Sequence, residues 1–212
     1  MSATFETRMR EEFKWLQKLQ NNPNVKDILT IYYTPRTGAS GWVPISTSVA
    51  QYSGYPVKFK VQYKMPMYVC PSGRLKKNWQ GSIYFEVTEE AMLGNGSMGV
   101  GIEGGGFPAG SIPYNKHVSQ GFICCGNAWE VAKQGYGIWY FVIAVGALLN
   151  LDPFWQAEHG DHLNGDAREF FENVRHRQPT NNIRWPYNLR DNSFTIQSAA
   201  PAKKTFTIKP LT

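Results

Sequence analysis

A chain of 212 residues with 42% hydrophobic and 14% aromatic content can bury a real core, which excludes wholesale disorder and predicts one globular domain with trimmings. Its net charge of +6 comes from basic residues that are scattered apart from a small cluster at Arg74, Lys76 and Lys77, a solubility pattern rather than a nucleic-acid footprint. Three cysteines do not make a secreted disulfide framework, the N-terminus is polar where an export signal is apolar, and Ile138–Leu149 is shorter than the about 20 apolar residues that span a bilayer. A soluble cytoplasmic protein with no nucleic-acid or membrane partner is expected.

Thr4 to Gln20 reads as an amphipathic helix, with Phe5, Met9, Phe13 and Leu16 at helical spacing and Asn21-Asn22-Pro23 as its stop. Arg8, Arg10, Lys14 and Lys18 occupy its other faces, either as a solvated surface or as a docking surface for a partner. Val25 to Thr34 is apolar and β-branched, a first strand. Pro35 to Tyr55 reads as loop, with Trp42-Val43-Pro44-Ile45 able to pack. Val57, Phe59, Val61 and Tyr63 alternate with Lys58, Lys60 and Gln62, as a half-buried strand requires. Further strands are expected at Ser82 to Thr88 and Met98 to Ile102, and short turns between them predict an antiparallel meander.

Beyond the meander, Ile138–Asn150 is apolar almost all round and predicts a buried helix ended by Asp152-Pro153. An acidic, polar connector, Gln156 to Leu163, leads to Asn164, which caps a further helix carrying Ala167, Phe170, Phe171 and Val174. The tail after residue 178 is expected to hold a small hairpin, Phe194–Gln197 with Thr205–Ile208, which divides the chain into a domain at 1–178 and an extension at 179–212.

Three chemistries compete. Gly99, Gly101 and Gly104 have dinucleotide-motif spacing, but no helix opens behind them to hold the phosphates; Gly105-Gly106-Phe107-Pro108 follows instead. The histidines and cysteines lack paired metal spacing, although His159 and His162 lie three apart. The third candidate is Cys124, in Phe122-Ile123-Cys124-Cys125-Gly126, which follows a polar loop (Asn115, Lys116, His117, Ser119, Gln120) and precedes the apolar helix. A thiol there serves chemistry through ionisation and access rather than packing. A cysteine hydrolase built on Cys124, His117 or His162, and Asp161 is one arrangement; a catalytically silent binding module is another.

The order of elements resembles a ubiquitin-conjugating enzyme over residues 4–178. The residues that carry the likeness are the helix ending in Asn-Asn-Pro, the meander, Gly121-Phe122-Ile123-Cys124, Trp129, Ala147-Leu148-Leu149-Asn150-Leu151-Asp152-Pro153 and Asp161-His162-Leu163-Asn164. The resemblance implies an α+β, UBC-like fold: N-terminal helix, four-stranded antiparallel meander, active-site loop and C-terminal helices. It implies that Cys124 carries a ubiquitin-like protein as a thioester, received from an activating enzyme and passed to a lysine of a protein target. Asp161 then orients or deprotonates the amine, and no metal or bound nucleotide is needed. The family's His-Pro-Asn is replaced by Tyr114-Asn115-Lys116-His117-Val118, so oxyanion stabilisation falls to His117 or Asn115, with Asn127 a further possibility. These departures are similar to divergent bacterial members of ubiquitination-like antiphage operons.

Overall fold

The computed structural model describes residues 2–23, 25–34, 41–46, 56–64, 67–69, 76–105, 118–119 and 121–149, together with short strands at 187–188, 193–196 and 204–207. Helix α1 spans Ala3–Asn21 and starts where Ser2 Oγ accepts from Phe5 N at 3.2 Å, satisfying one of the helix's orphan donors. Glu6 sits in the first turn and Lys18 in the last, both favourable for the helix dipole. Phe5, Met9, Phe13, Leu16 and Leu19 recur every three or four residues and are all buried.

The strand expected from Val25 is shorter. Residues 25–28 form turns, with Val25 N donating to Asn22 O and Ile28 N to Val25 O, and β1 begins at Leu29, running to Tyr33. Pro23 ends the helix, and residues 25–28 turn the backbone onto the sheet. The remaining strands of the sheet are β2 (Val43–Pro44), β3 (Lys58–Tyr63), β4 (Met67–Val69), β5 (Lys76–Glu86), β6 (Val100–Gly105), β7 (Val118–Ser119) and β8 (Phe122–Ile123). They hydrogen-bond in the order β2-β1-β3-β5-β6-β8-β7, with β4 pairing β5 off this path, and every pairing is antiparallel. Its centre, β1-β3-β5-β6, is the expected four-stranded meander, so the α+β class and the antiparallel sheet hold.

Strand alternation decides which face is buried. Leu29, Ile31 and Tyr33, Phe59, Val61 and Tyr63, Ile83 and Phe85, Val100 and Ile102, and Ile123 all point inward. Thr88 does not continue β5; its Oγ1 accepts from Ala91 N at 3.1 Å and caps a short helix, α2, Glu89–Leu93. A Thr followed by two glutamates is a helix start, and that signal overrides the strand reading.

Helix α3 (Ala128–Val131) continues through a single π-turn at Ala132–Tyr136, and Gly137, with φ +92°, leads into α4, Ile138–Leu149. Residues 138–145, 148 and 149 of α4 are buried, as an all-round apolar helix requires. Phe141 meets Phe85 edge-on at 5.4 Å and Trp129 at 5.5 Å, and Tyr63 donates its hydroxyl to Val142 O at 2.7 Å. Two polar side chains fasten the layers. Gln20 of α1 accepts from Ile31 N at 2.6 Å and donates to Leu29 O at 3.3 Å, where the short β2 does not reach. Glu12, fully buried, accepts from Ile138 N at 2.7 Å and so caps α4 from another helix.

In the tail, β10 (Ser193–Ile196) and β11 (Lys204–Thr207) pair antiparallel, each one residue earlier than the expected strands, with Phe194 opposite Phe206, and β9 (Tyr187–Asn188) adds a third strand. The connector at 156–163 and the helix expected from Asn164 lie outside the described residues. Among the described residues no helix is long and apolar enough to cross a membrane.

Candidate active site

The cysteine pair lies where the chain leaves the sheet. Gly121, with φ +83°, turns the backbone into β8, and Gly126, with φ +53°, turns it out again. Both angles are strained for most other residues, so glycine is what lets the chain turn at each end of the segment. Ile102 N donates to Gly121 O at 2.9 Å, Gly101 pairs Phe122, and β7 pairs the other edge through Val118–Ile123 and Ser119–Phe122. Ala128 N then donates to Cys125 O at 3.1 Å as the chain enters α3.

Within β8, Ile123 is buried and Phe122 is 64% exposed. Cys124 and Cys125 follow the strand, and the core contact is made by Cys125. Both cysteines are free. The residue surface of Cys125 is half-buried, but its Sγ points at Ile123 O at 3.8 Å and packs against the core. The sulfur's own surroundings decide its ionisation: burial pushes the Cys125 thiol far up, and a neighbouring Cys124 thiolate pushes it further. Tyr63 is driven the same way, first by burial and then by Cys125, which puts that sulfur on the Tyr63 side of the layer. Of the two, Cys125 is the thiol that burial holds protonated.

Behind the pair, Trp129 is buried and donates Nε1 to Ala91 O at 2.9 Å, tying α3 to α2. Lys133 Nζ reaches Gly94 O at 3.1 Å and reinforces the same junction. Asn127 occupies the N-cap position of α3, exposed, with no cap bond from its side chain. That leaves an amide close in sequence to Cys124 and carried by a fixed turn. Asn115, His117 and Asp161 lie outside the described residues. No family model matches the chain, and no curated protein or solved structure matches it.

The glycines with dinucleotide spacing have another use. A Cβ on Gly101 would come within 2.0 Å of the Tyr84 ring, so that ring lies flat over bare backbone where a side chain would block it. On α1, each basic residue has a partner on its own helix: Arg8 Nε donates to Glu12 Oε1 at 2.8 Å, Arg10 pairs Glu6 at 2.6 Å and Lys14 pairs Glu11 at 2.7 Å. Lys18 Nζ sits over the Trp15 ring at 4.2 Å. Arg8 is thereby committed to a buried carboxylate, whereas Arg10 and Lys14 make exposed pairs of the kind worth about 0.3–0.5 kcal/mol.

Sequence reasoning missed Glu12 and the two left-handed glycines. Glu12 sits among helix-surface charges in one dimension, and only the position of α4 turns it into a cap. The glycines had a signal, since Gly121 and Gly126 bracket the segment that holds both cysteines.

Proposed function

We propose that the protein is a ubiquitin-conjugating-type acyl carrier that works through Cys124. The observation that carries this reading is the half-buried Cys124, between two left-handed glycines and beside a Cys125 that burial keeps protonated. Such a thiol has partial access to solvent and no competing nucleophile next to it.

The reaction is thioester exchange. The Cys124 sulfur attacks the C-terminal carbonyl of a ubiquitin-like protein bound to an activating enzyme; a new C–S bond forms, the C–S bond to the donor thiol breaks, and that thiol leaves with the proton. A lysine amine of the protein target then attacks the Cys124 thioester and releases the thiol. Sulfur suits both steps because a thiolate is a good nucleophile and a good leaving group. Asn127 is the described candidate for stabilising the developing oxyanion, alongside His117 and Asn115, and Asp161 is assigned the amine's proton. Arg10, Lys14 and Lys18 form the proposed partner surface of α1, with Arg8 acting through Glu12.

The protein, its candidate activating enzyme, ubiquitin-like partner and ATP are run on a non-reducing gel. A reductant-sensitive adduct that disappears in Cys124→Ala and survives in Cys125→Ala supports the reading. Absence of any adduct with a demonstrably active upstream enzyme overturns it.

A further inference from the structure

Phe122 is the most exposed of the exposed large apolar side chains among the described residues, at 64%, ahead of Leu93 at 48%, Tyr84 at 41% and Trp42 at 40%. The fold gains nothing from it there, because Ile123 supplies the buried contact of β8. Its position is nevertheless fixed. It pairs Gly101 on one side and Ser119 on the other, and the glycine at φ +83° immediately before it sets the strand's entry. Gly101 offers no side chain against it, and the Tyr84 ring lies over that glycine, so an exposed aromatic surface runs from β5 to β8. Cys124 follows Phe122 by two residues, just past the end of β8, so their Cα atoms lie no more than about 7 Å apart.

Resting on the acyl-carrier reading, we propose that Phe122 is a specificity-determining residue that packs against the acyl donor's tail about two residues before the reacting carbonyl, and selects an apolar side chain there. A tail laid along Phe122–Cys124 with its carbonyl at the sulfur advances about 3.3 Å per residue, which brings the side chain two positions upstream to the Phe122 ring. An aliphatic side chain there removes its own surface and the ring's from water; a carboxylate there loses solvation against an apolar face and gains no partner.

The test uses synthetic peptide thioesters, acetyl-Xaa-Gly-Gly with a small-thiol leaving group, where Xaa is Leu or Asp. Acylation of the full chain is followed by intact mass, and Cys124 accessibility by iodoacetamide labelling. The wild type is expected to react about tenfold faster with the Leu peptide, the order of discrimination an apolar pocket contact provides. Phe122→Ser is expected to bring the two rates together and Phe122→Leu to keep part of the preference, both with unchanged iodoacetamide labelling. Equal Leu and Asp rates in the wild type, or an undiminished preference in Phe122→Ser, overturn the proposal while leaving the acyl carrier standing. Ready labelling by iodoacetamide with no acylation by any thioester removes the acyl-carrier reading itself.

Discussion

Replacing Glu12 by alanine tests the junction that sets α4 behind the cysteine segment. The side chain is 0% exposed, accepts from Ile138 N at 2.7 Å and from Arg8 Nε at 2.8 Å. Truncation leaves the Ile138 N–H buried without an acceptor, costing about 1–3 kcal/mol, which includes the loss of a helix cap. Arg8 is 30% exposed and can turn its guanidinium toward water, so the full about 3–5 kcal/mol of a broken buried pair does not apply. Relief of the carboxylate's own desolvation offsets part of the loss. The expected net destabilisation is about 2 kcal/mol, a fall in Tm of about 4–8 °C for a chain of this size. Glu12→Gln keeps an acceptor for Ile138 and is expected to cost about half as much.

The pH dependence adds a sign. Burial raises the Glu12 pKa above its ordinary value of 4.5, against the opposing pull of Ile138 N–H and Arg8. The folded state therefore binds the proton more tightly than the unfolded state, so this group's contribution is full below pH 4.5 and declines as pH rises to the folded pKa. Urea denaturation of wild type and Glu12→Gln across that window checks both parts. Equal losses in the Gln and Ala variants would refute the capping argument, and a wild-type advantage over Gln that grows with pH in that window would refute the dominance of burial over the cap and the ion pair.

Other outcomes follow from the same geometry. Tyr63→Phe removes a fully buried hydroxyl that donates to Val142 O at 2.7 Å; because a helix carbonyl keeps its own ladder partner, denaturant titration should register only about 1 kcal/mol. Gly101→Val sets its Cβ into the Tyr84 ring and is expected to cost about 1–3 kcal/mol, most of it recovered by adding Tyr84→Ala; a cost unchanged in the double variant removes the packing explanation. Iodoacetamide at mildly alkaline pH should label Cys124 in the native protein and leave Cys125 unlabelled until denaturant is added, since burial holds its thiol protonated; peptide mapping by mass spectrometry separates the two.

Much of this arrangement is legible in the sequence because local rules and tertiary burial agree. The α1 stripe from Phe5 to Leu16, the alternation from Val57 to Tyr63 and the apolar run from Ile138 each report one periodicity, and each element appears where that periodicity places it. Boundaries failed where a competing signal was short. Thr88 looks like a strand residue until the two glutamates after it are read as a helix start, and Val25 looks like a strand start until the turn after Pro23 is counted. Glu12 was not legible at all, since its partner is 126 residues away. At the candidate site, the register of Gly121 to Cys124 was readable, but the contrast between Cys124 and Cys125 depends on which way each sulfur points. Only the packed structure shows that Cys125 is the one whose sulfur meets the core.

Converting the Cys124 sulfur to oxygen decides whether that atom carries the acyl group. Cys124→Ser, incubated with the candidate activating enzyme, ubiquitin-like partner and ATP, should exchange a reductant-sensitive adduct for one that resists reductant and is cleaved by alkali, as an oxygen ester is. Peptide mapping that finds the acyl group on the introduced serine is the predicted result. An adduct that remains reductant-sensitive in Cys124→Ser, or one that maps to a different residue, contradicts the account.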